Sequence, residues 1–253
     1  MPVVNATEVY SREFFARHAD RSARSAGVVV PLVLSLFPVR SVVDVGCGVG
    51  PWAAEFLSQG VEDVWGIDGE YVDLSRLRIP PGRFLARDLT QLLQLDRTFD
   101  LAVCLEVAEH LPKSRASGLV ADLTSLAPCV LFSAAVPGQG GVHHLNEQYL
   151  SYWIDLFQGR GYQGIDAVRP WVLGNKSVQW FYQQNIVVFA APEHPLMASD
   201  LPKAQDIVHQ NLYERVRTGQ GLGLRTLLGA LPGALLSSMR YHLGGRGGLP
   251  PKD

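Results

Sequence analysis

Short apolar runs alternate with longer stretches of helical periodicity from residue 41 to 157, and that alternation predicts strand, helix, strand in repeating order. Residues 41–45, Ser-Val-Val-Asp-Val, are β-branched and apolar apart from Ser41 and Asp44, and predict the first strand. Residues 64–69, 83–89, 99–105 and 130–135 predict four more, and 165–172 and 185–190 the last two. The run over 99–105 is nearly continuously apolar, as a strand covered on both faces must be. Helical spacing is read at 52–57 behind Pro51, at 116–126, and at 148–160, where Tyr152, Trp153, Leu156 and Phe157 share an amphipathic segment. Residues 8–37 also read as helical, with Tyr10, Phe14 and Phe15 on one side and Pro31 and Pro38 as punctuation. Glu106, Glu109 and His110 read as the start of a helix, which would place all three on one face. Residues 206–217 predict a helix, 222–243 are leucine-rich and broken by Pro232, and 244–253 read as frayed.

The rhythm is that of an α/β protein with a doubly wound parallel sheet. Three regions are expected: a helical cover over 1–40, the sheet domain over 41–192, and a helical C-terminal extension over 193–253. A chain of 253 residues with 47% hydrophobic and 18% charged residues can bury a substantial core. The net charge of −2 argues against nucleic acid as a partner. From residue 197 onward seven Lys/Arg meet four Asp/Glu, an imbalance too small to name a partner. Cys47, Cys104 and Cys129 sit in or beside apolar runs without a C-x-x-C pattern, so buried thiols in a reducing cytosol are expected. Residues 26–37 are too short an apolar run to span a bilayer, and no basic-then-apolar leader is seen, so a cytoplasmic location is expected.

The candidate chemistry starts where the first strand ends. Gly46, Gly48 and Gly50 alternate, Pro51 follows, and a helix begins. Such a bend brings bare backbone close to a ligand and points helix N–H groups at it. A dinucleotide loop has the spacing G-x-G-x-x-G, which this is not. An anionic Asp44 beside the bend disfavours pyrophosphate and favours an ammonium group. Asp68 stands 22 residues after Gly46 at the end of the second strand, where a carboxylate can take both hydroxyls of a ribose. Asp88, with Leu89, holds the matching place one strand further and could accept from an adenine amine.

Together, Asp44-x-Gly46-x-Gly48-x-Gly50, Asp68, Asp88 and the run Glu106-Val107-Ala108-Glu109-His110-Leu111-Pro112 resemble class I S-adenosylmethionine-dependent methyltransferases. The resemblance covers roughly residues 25–190 and implies a seven-stranded sheet whose last strand, 185–190, is antiparallel. It implies S-adenosylmethionine as cofactor, with Asp44 and Gly46, Cys47, Gly48 and Gly50 around the methionine end, Asp68 and Gly69 at the ribose, Asp88 and Leu89 at the adenine, and Leu105 and Glu106 along its side. Residues 133–141, His144-x-Asn146-Glu147-Gln148 and Ser151-Tyr152-Trp153 resemble a bacterial subgroup found near glycan and natural-product genes. The acceptor expected is a small molecule, sugar or glycan, methylated on oxygen before nitrogen, with a homodimer left open.

No metal set is committed. If a divalent ion binds, Glu106, Glu109, His110 and His144 would hold it, resembling the site of small-RNA 2′-O-methyltransferases, and it would lower the pKa of an acceptor hydroxyl. Without one, His144, His110 and His143 are the candidate bases. Tyr149, Tyr152, Trp153, Trp171, Trp180 and Tyr182 could wall an acceptor pocket. Two other readings stand beside the transferase: a nicotinamide-dependent oxidoreductase on the same sheet, disfavoured by loop spacing and Asp44, and a non-catalytic partner subunit that keeps the fold.

Overall fold

A computed structural model describes residues 12–218, with side chains from Asp20 onward. Tyr10, the side chains of Phe14 and Phe15, and the leucine-rich stretch over 222–243 lie outside the described part. Seven strands form one sheet in the order β3-β2-β1-β4-β5-β7-β6. They are β1 (Ser41–Val45), β2 (Asp63–Asp68), β3 (Phe84–Ala86), β4 (Leu101–Leu105), β5 (Cys129–Ser133), β6 (Gln163–Ile165) and β7 (Val187–Ala190). β7 runs antiparallel to both β5 and β6, and the other pairs are parallel. The chain winds outward from β1 to β3, then returns to place β4 on the other side of β1. Ligand crevices of open α/β sheets form at that reversal, beyond the strand C-termini.

Helices α1 (Arg12–Leu36) and α2 (Pro51–Ser58) cover one face, and α3 (Ala116–Leu126) and α4 (Leu150–Gln158) the other. The period-two alternation of the strands divides the core. Val42, Val64, Leu101 and Val103 face Val29, Val33, Trp52 and Phe56. Val43, Ile67, Ala102 and Phe132 face Leu119, Leu123, Trp153 and Phe157. Each fully buried large side chain contributes about 1.5–3 kcal/mol. Phe157 and Phe189 stack with centroids 3.8 Å apart.

As far as it is described, the helix expected over residues 8–37 is α1, and Pro31 lies inside it. The missing hydrogen bond is offset by Val29, Val30 and Val33, all fully buried around it. Residues 165–172 do not continue as a strand: β6 ends at Ile165 and α5 (Arg169–Val172) follows. Pro170 cannot donate to a ladder, and the Arg169 guanidinium is drawn inward onto Asp166 at 2.8 Å and the Gln184 carbonyl at 3.1 Å. The run Glu106–His110 forms no α-helix; Ala108–His110 is a single 3₁₀ turn, and Glu106 is left-handed with φ 56°. Leu111 must be extended because Pro112 follows, so the turn cannot propagate. The final helices are α6 (Trp180–Asn185) and α7 (Gln210–Arg217). The predicted helix over 206–217 is therefore shorter at its start, where residues 203–206 are bonded to the body of the fold.

All three cysteines are buried thiols. Among the described residues no helix is long and apolar enough to cross a membrane.

Candidate active site

At the C-terminal ends of β1, β2 and β4 lies a cavity of about 680 Å³. Its floor is the glycine bend. Gly46, Gly48 and Gly50 adopt φ of 80°, 56° and 81°, the left-handed region that side chains resist. A Cβ on Gly46 would sit 2.3 Å from Val107 Cγ2, so the bare backbone here is a packing requirement as well as a conformational one. The bend folds back on β2: the Gly46 and Cys47 amides donate to the Ile67 carbonyl at 2.7 and 3.2 Å. The Gly48 amide donates to Asp68 Oδ2 at 2.7 Å. These three amides are thus satisfied within the protein, and what the bend offers the cavity is bare backbone, as its glycines led the sequence reading to expect.

Asp68 is buried and fully engaged. Its Oδ1 accepts from the Gly69 amide at 2.7 Å and from the Tyr71 hydroxyl. Burial pushes its carboxyl above the ordinary value, against the pull of those donors. Asp44 does not line the cavity. It lies beneath the bend, where the Ala53 amide of α2 favours its charged form, and its Oδ2 has no partner. Burial first and the Asp68 charge second raise its pKa to about 7. Asp88 stands two residues past the end of β3, exposed, with its Oδ1 capping the Thr90 amide at 2.9 Å.

Of the cofactor residues expected from sequence, all but Asp44 and Gly50 line this cavity, including Cys47, Gly69, Leu89, Leu105 and Glu106. Glu106 is anchored rather than free: Gln139 Nε2 donates to it at 2.7 Å and Asn185 Nδ2 at 3.1 Å. Burial raises its pKa while these amides resist. The other end of the cavity gathers Glu109, His110 and His144, whose donor atoms all lie within 4.8 Å of one another. Glu106 is not part of that group. Glu109 is fully buried, neither carboxylate oxygen has a hydrogen-bond partner, and burial followed by the Glu106 charge pushes its pKa far up. Burial and the neighbouring His144 lower His110 to about 4, so it is neutral near pH 7. His143 is exposed, adopts φ 57° and is not among the residues that line the cavity.

Sequence reasoning did not assign a role to Glu147. Its Oε1 lies 2.9 Å from His144 Nδ1, and it accepts the Gly138 and Gly140 amides at 3.0 Å each. One carboxylate thus orients the histidine and closes the glycine loop around it. Burial opposes its charge, but the His144 contact and these amides outweigh that and hold its pKa below the usual value. The three-residue step from His144 was the available signal. Tyr71, Arg21 and Arg215 also line the cavity without having been singled out. Of the six aromatics expected to wall it, Trp180 and Tyr182 do; Trp153 is core and Trp171 is 69% exposed.

Residues 15–166 match the model of a family described as methyltransferase domain. No curated protein matches the sequence. Among solved structures, an amino pentose methyltransferase from Micromonospora echinaspora with bound SAM is 17% identical, with TM-score 0.54, over 72% of this chain and 97% of that one. Magnesium protoporphyrin IX methyltransferase from Synechocystis PCC 6803 with bound SAH is 21% identical, with TM-score 0.51, over 73% and 91%. The methyltransferase domain of bacterial CtHen1-C is 20% identical, with TM-score 0.50, over 68% and 98%. These likenesses are likenesses of fold.

Proposed function

The chain belongs to the methyltransferase-domain family of S-adenosylmethionine-dependent enzymes, and from that premise we propose that it methylates an oxygen of a small molecule, sugar or glycan. The observation that carries the reading is one continuous cavity running from the uncovered glycine bend and Asp68 to the Glu109, His110 and His144 cluster. The cavity fits the cofactor: a left-handed glycine bend with no room for a Cβ at Gly46, an acid at the end of β2, and Asp88 with Leu89 beyond it. Gly46, Gly48, Asp68, Asp88, Leu89 and Leu105 would hold it, and once bound it supplies an electrophilic sulfonium methyl. Positioning then does much of the work, since holding an acceptor in line converts an encounter into an intramolecular event.

His144 is the base in this reading. The Glu147 carboxylate favours the tautomer protonated at Nδ1, which leaves Nε2 to accept a proton from an acceptor hydroxyl. His144→Ala is expected to lower kcat about 100-fold or more, and Glu147→Gln about 10–100-fold, with donor affinity unchanged in both. The assay is label transfer from methyl-labelled S-adenosylmethionine into paired hydroxyl and amine acceptors. Calorimetric titration with S-adenosylhomocysteine and with a nicotinamide dinucleotide comes first; tighter binding of the dinucleotide would reject the transferase reading.

A second reading is favoured by the orphaned Glu109 carboxylate. One carboxylate and two imidazoles suit a divalent ion, which Glu109, His110 and His144 would hold and which would act as a Lewis acid toward a hydroxyl. Glu109→Gln separates the two. A merely buried acid should be replaced with a rise in melting temperature and no response to manganese. If the site takes metal, manganese should raise the melting temperature of the parent protein but not of the variant, and chelation should end activity.

A further inference from the structure

Charged residues of both signs line the cavity, Asp68, Arg87 and Asp88 at one end and Glu106 and Glu109 toward the other. The wall built from α1, α6 and α7 presents Arg21 and Arg215 beside Trp180 and Phe181. Arg115 and Arg169, the arginines drawn into the body of the fold, each hold a carboxylate, Asp122 and Asp166. Arg215 holds none among the described residues. The acid of its own helix, Glu214, is engaged by Arg217 at 2.6 Å. Arg215 Nε is nevertheless buried, and it has no hydrogen-bond partner. Buried donors are seldom left without an acceptor, and a charged one least of all.

Its placement is fixed from two sides. The guanidinium carbon lies 5.8 Å from the centre of the Trp180 ring, within cation–π reach. The strap leading into α7 is bonded to the body throughout. The Ala204 amide donates to Gly164 O at 3.0 Å, Arg169 to Gln205 O at 2.9 Å, and the His209 amide to Gln184 Oε1 at 2.7 Å. The Ser151 amide holds Asp206 at 3.0 Å. Glu106 does not compete for Arg215, because Gln139 and Asn185 already occupy its carboxylate.

We propose that the methyl acceptor is an anion whose phosphate or carboxylate seats on Arg215 while its ring lies against Trp180. The inference rests on the methyl-transfer reading of the same cavity and narrows its substrate class. A guanidinium offers two parallel donors to either anion, and its aromatic backing favours a planar or sugar ring beside it.

Phenyl phosphate and benzoate are the probes, titrated by calorimetry into the full chain saturated with S-adenosylhomocysteine. At least one is expected to bind, more weakly as salt is raised. Arg215→Ala should weaken that binding ten-fold or more. Arg215→Lys should fall between, because an ammonium keeps the charge but not the fork. Lys176→Ala, which removes an exposed cation outside the cavity lining, should change nothing. The tighter probe distinguishes phosphate from carboxylate. The proposal is overturned if neither probe binds, or if Arg215→Ala leaves the affinity unchanged. It is equally overturned if Arg215→Ala costs S-adenosylhomocysteine affinity, which would assign the arginine to the cofactor. Failure of the parent protein to take S-adenosylhomocysteine, seen before any probe is added, would instead remove the methyl-transfer reading, and this proposal with it.

Discussion

Gly46→Ala is expected to abolish measurable S-adenosylhomocysteine binding and to lower the melting temperature as well. Two penalties act at once. The residue holds φ 80°, where an L side chain is disfavoured by about 1–2 kcal/mol. Its new methyl would meet Val107 Cγ2 at 2.3 Å and Cγ1 at 2.8 Å, and overpacking of this kind costs about 1–3 kcal/mol. Val107 is buried at the start of the turn that carries Glu109 and His110, so yielding there moves the acceptor end too. The double variant Gly46→Ala/Val107→Ala should recover part of the stability by removing the collision but not the strain. Calorimetry and thermal melting read both quantities; wild-type affinity in Gly46→Ala would show that the bend does not form the cofactor floor.

Asp68→Ala should weaken S-adenosylhomocysteine binding about 100-fold, with a smaller effect on stability near neutral pH. Hydrogen bonds to a charged group are worth about 1.5–3 kcal/mol, and this carboxylate takes three, from the Gly48 and Gly69 amides and the Tyr71 hydroxyl. Losing the Gly48 contact frees the bend, and losing the carboxylate removes the ribose partner proposed for it. Stability responds less because the charge is costly to bury. With its folded pKa raised above 3.8, Asp68 contributes stability that is lost as the pH rises through the interval above that value. The variant should therefore show a flatter melting-temperature profile across the acid range. Tyr71→Phe is the companion test. If a ribose hydroxyl takes the place of the Tyr71 hydroxyl on Asp68, that variant keeps or improves cofactor affinity, whereas a fall comparable with Asp68→Ala would mean the tyrosine itself is the contact.

Much of the fold was legible along the chain because strand burial and glycine spacing are local properties. Residues 41–45 form β1, 116–126 form α3, and the antiparallel placement expected for 185–190 is that of β7. The acid at the end of β2 was equally visible, since its distance from the bend is set by one helix and one turn. The errors came where a local pattern was overruled by a distant partner. Residues 165–172 look extended, yet Arg169 is recruited by Asp166, Gln184 and Gln205 into a helical turn.

The site divides in the same way. The residues Asp44, Gly46, Gly48, Asp68 and Asp88 announce themselves, but not whose hydrogen bonds they make: the bend's amides turn inward, and Asp44 lies beneath it rather than along the cavity. Glu106, Glu109 and His110 promised one helical face, and Pro112 together with the left-handed Glu106 parted them, sending Glu106 to Gln139 and Asn185 and leaving Glu109 beside His110 and His144. Arg215 carried no signal at all, because its meaning depends on Trp180, 35 positions earlier, and on a strap pinned to β6. The sequence by itself determined every strand but β6, the bend and the acids at the strand ends, since each follows from side-chain periodicity and backbone permission within a few residues. Tertiary structure alone decided which polar atoms are satisfied and which are left facing the cavity, because that depends on charges and donors brought together from across the chain.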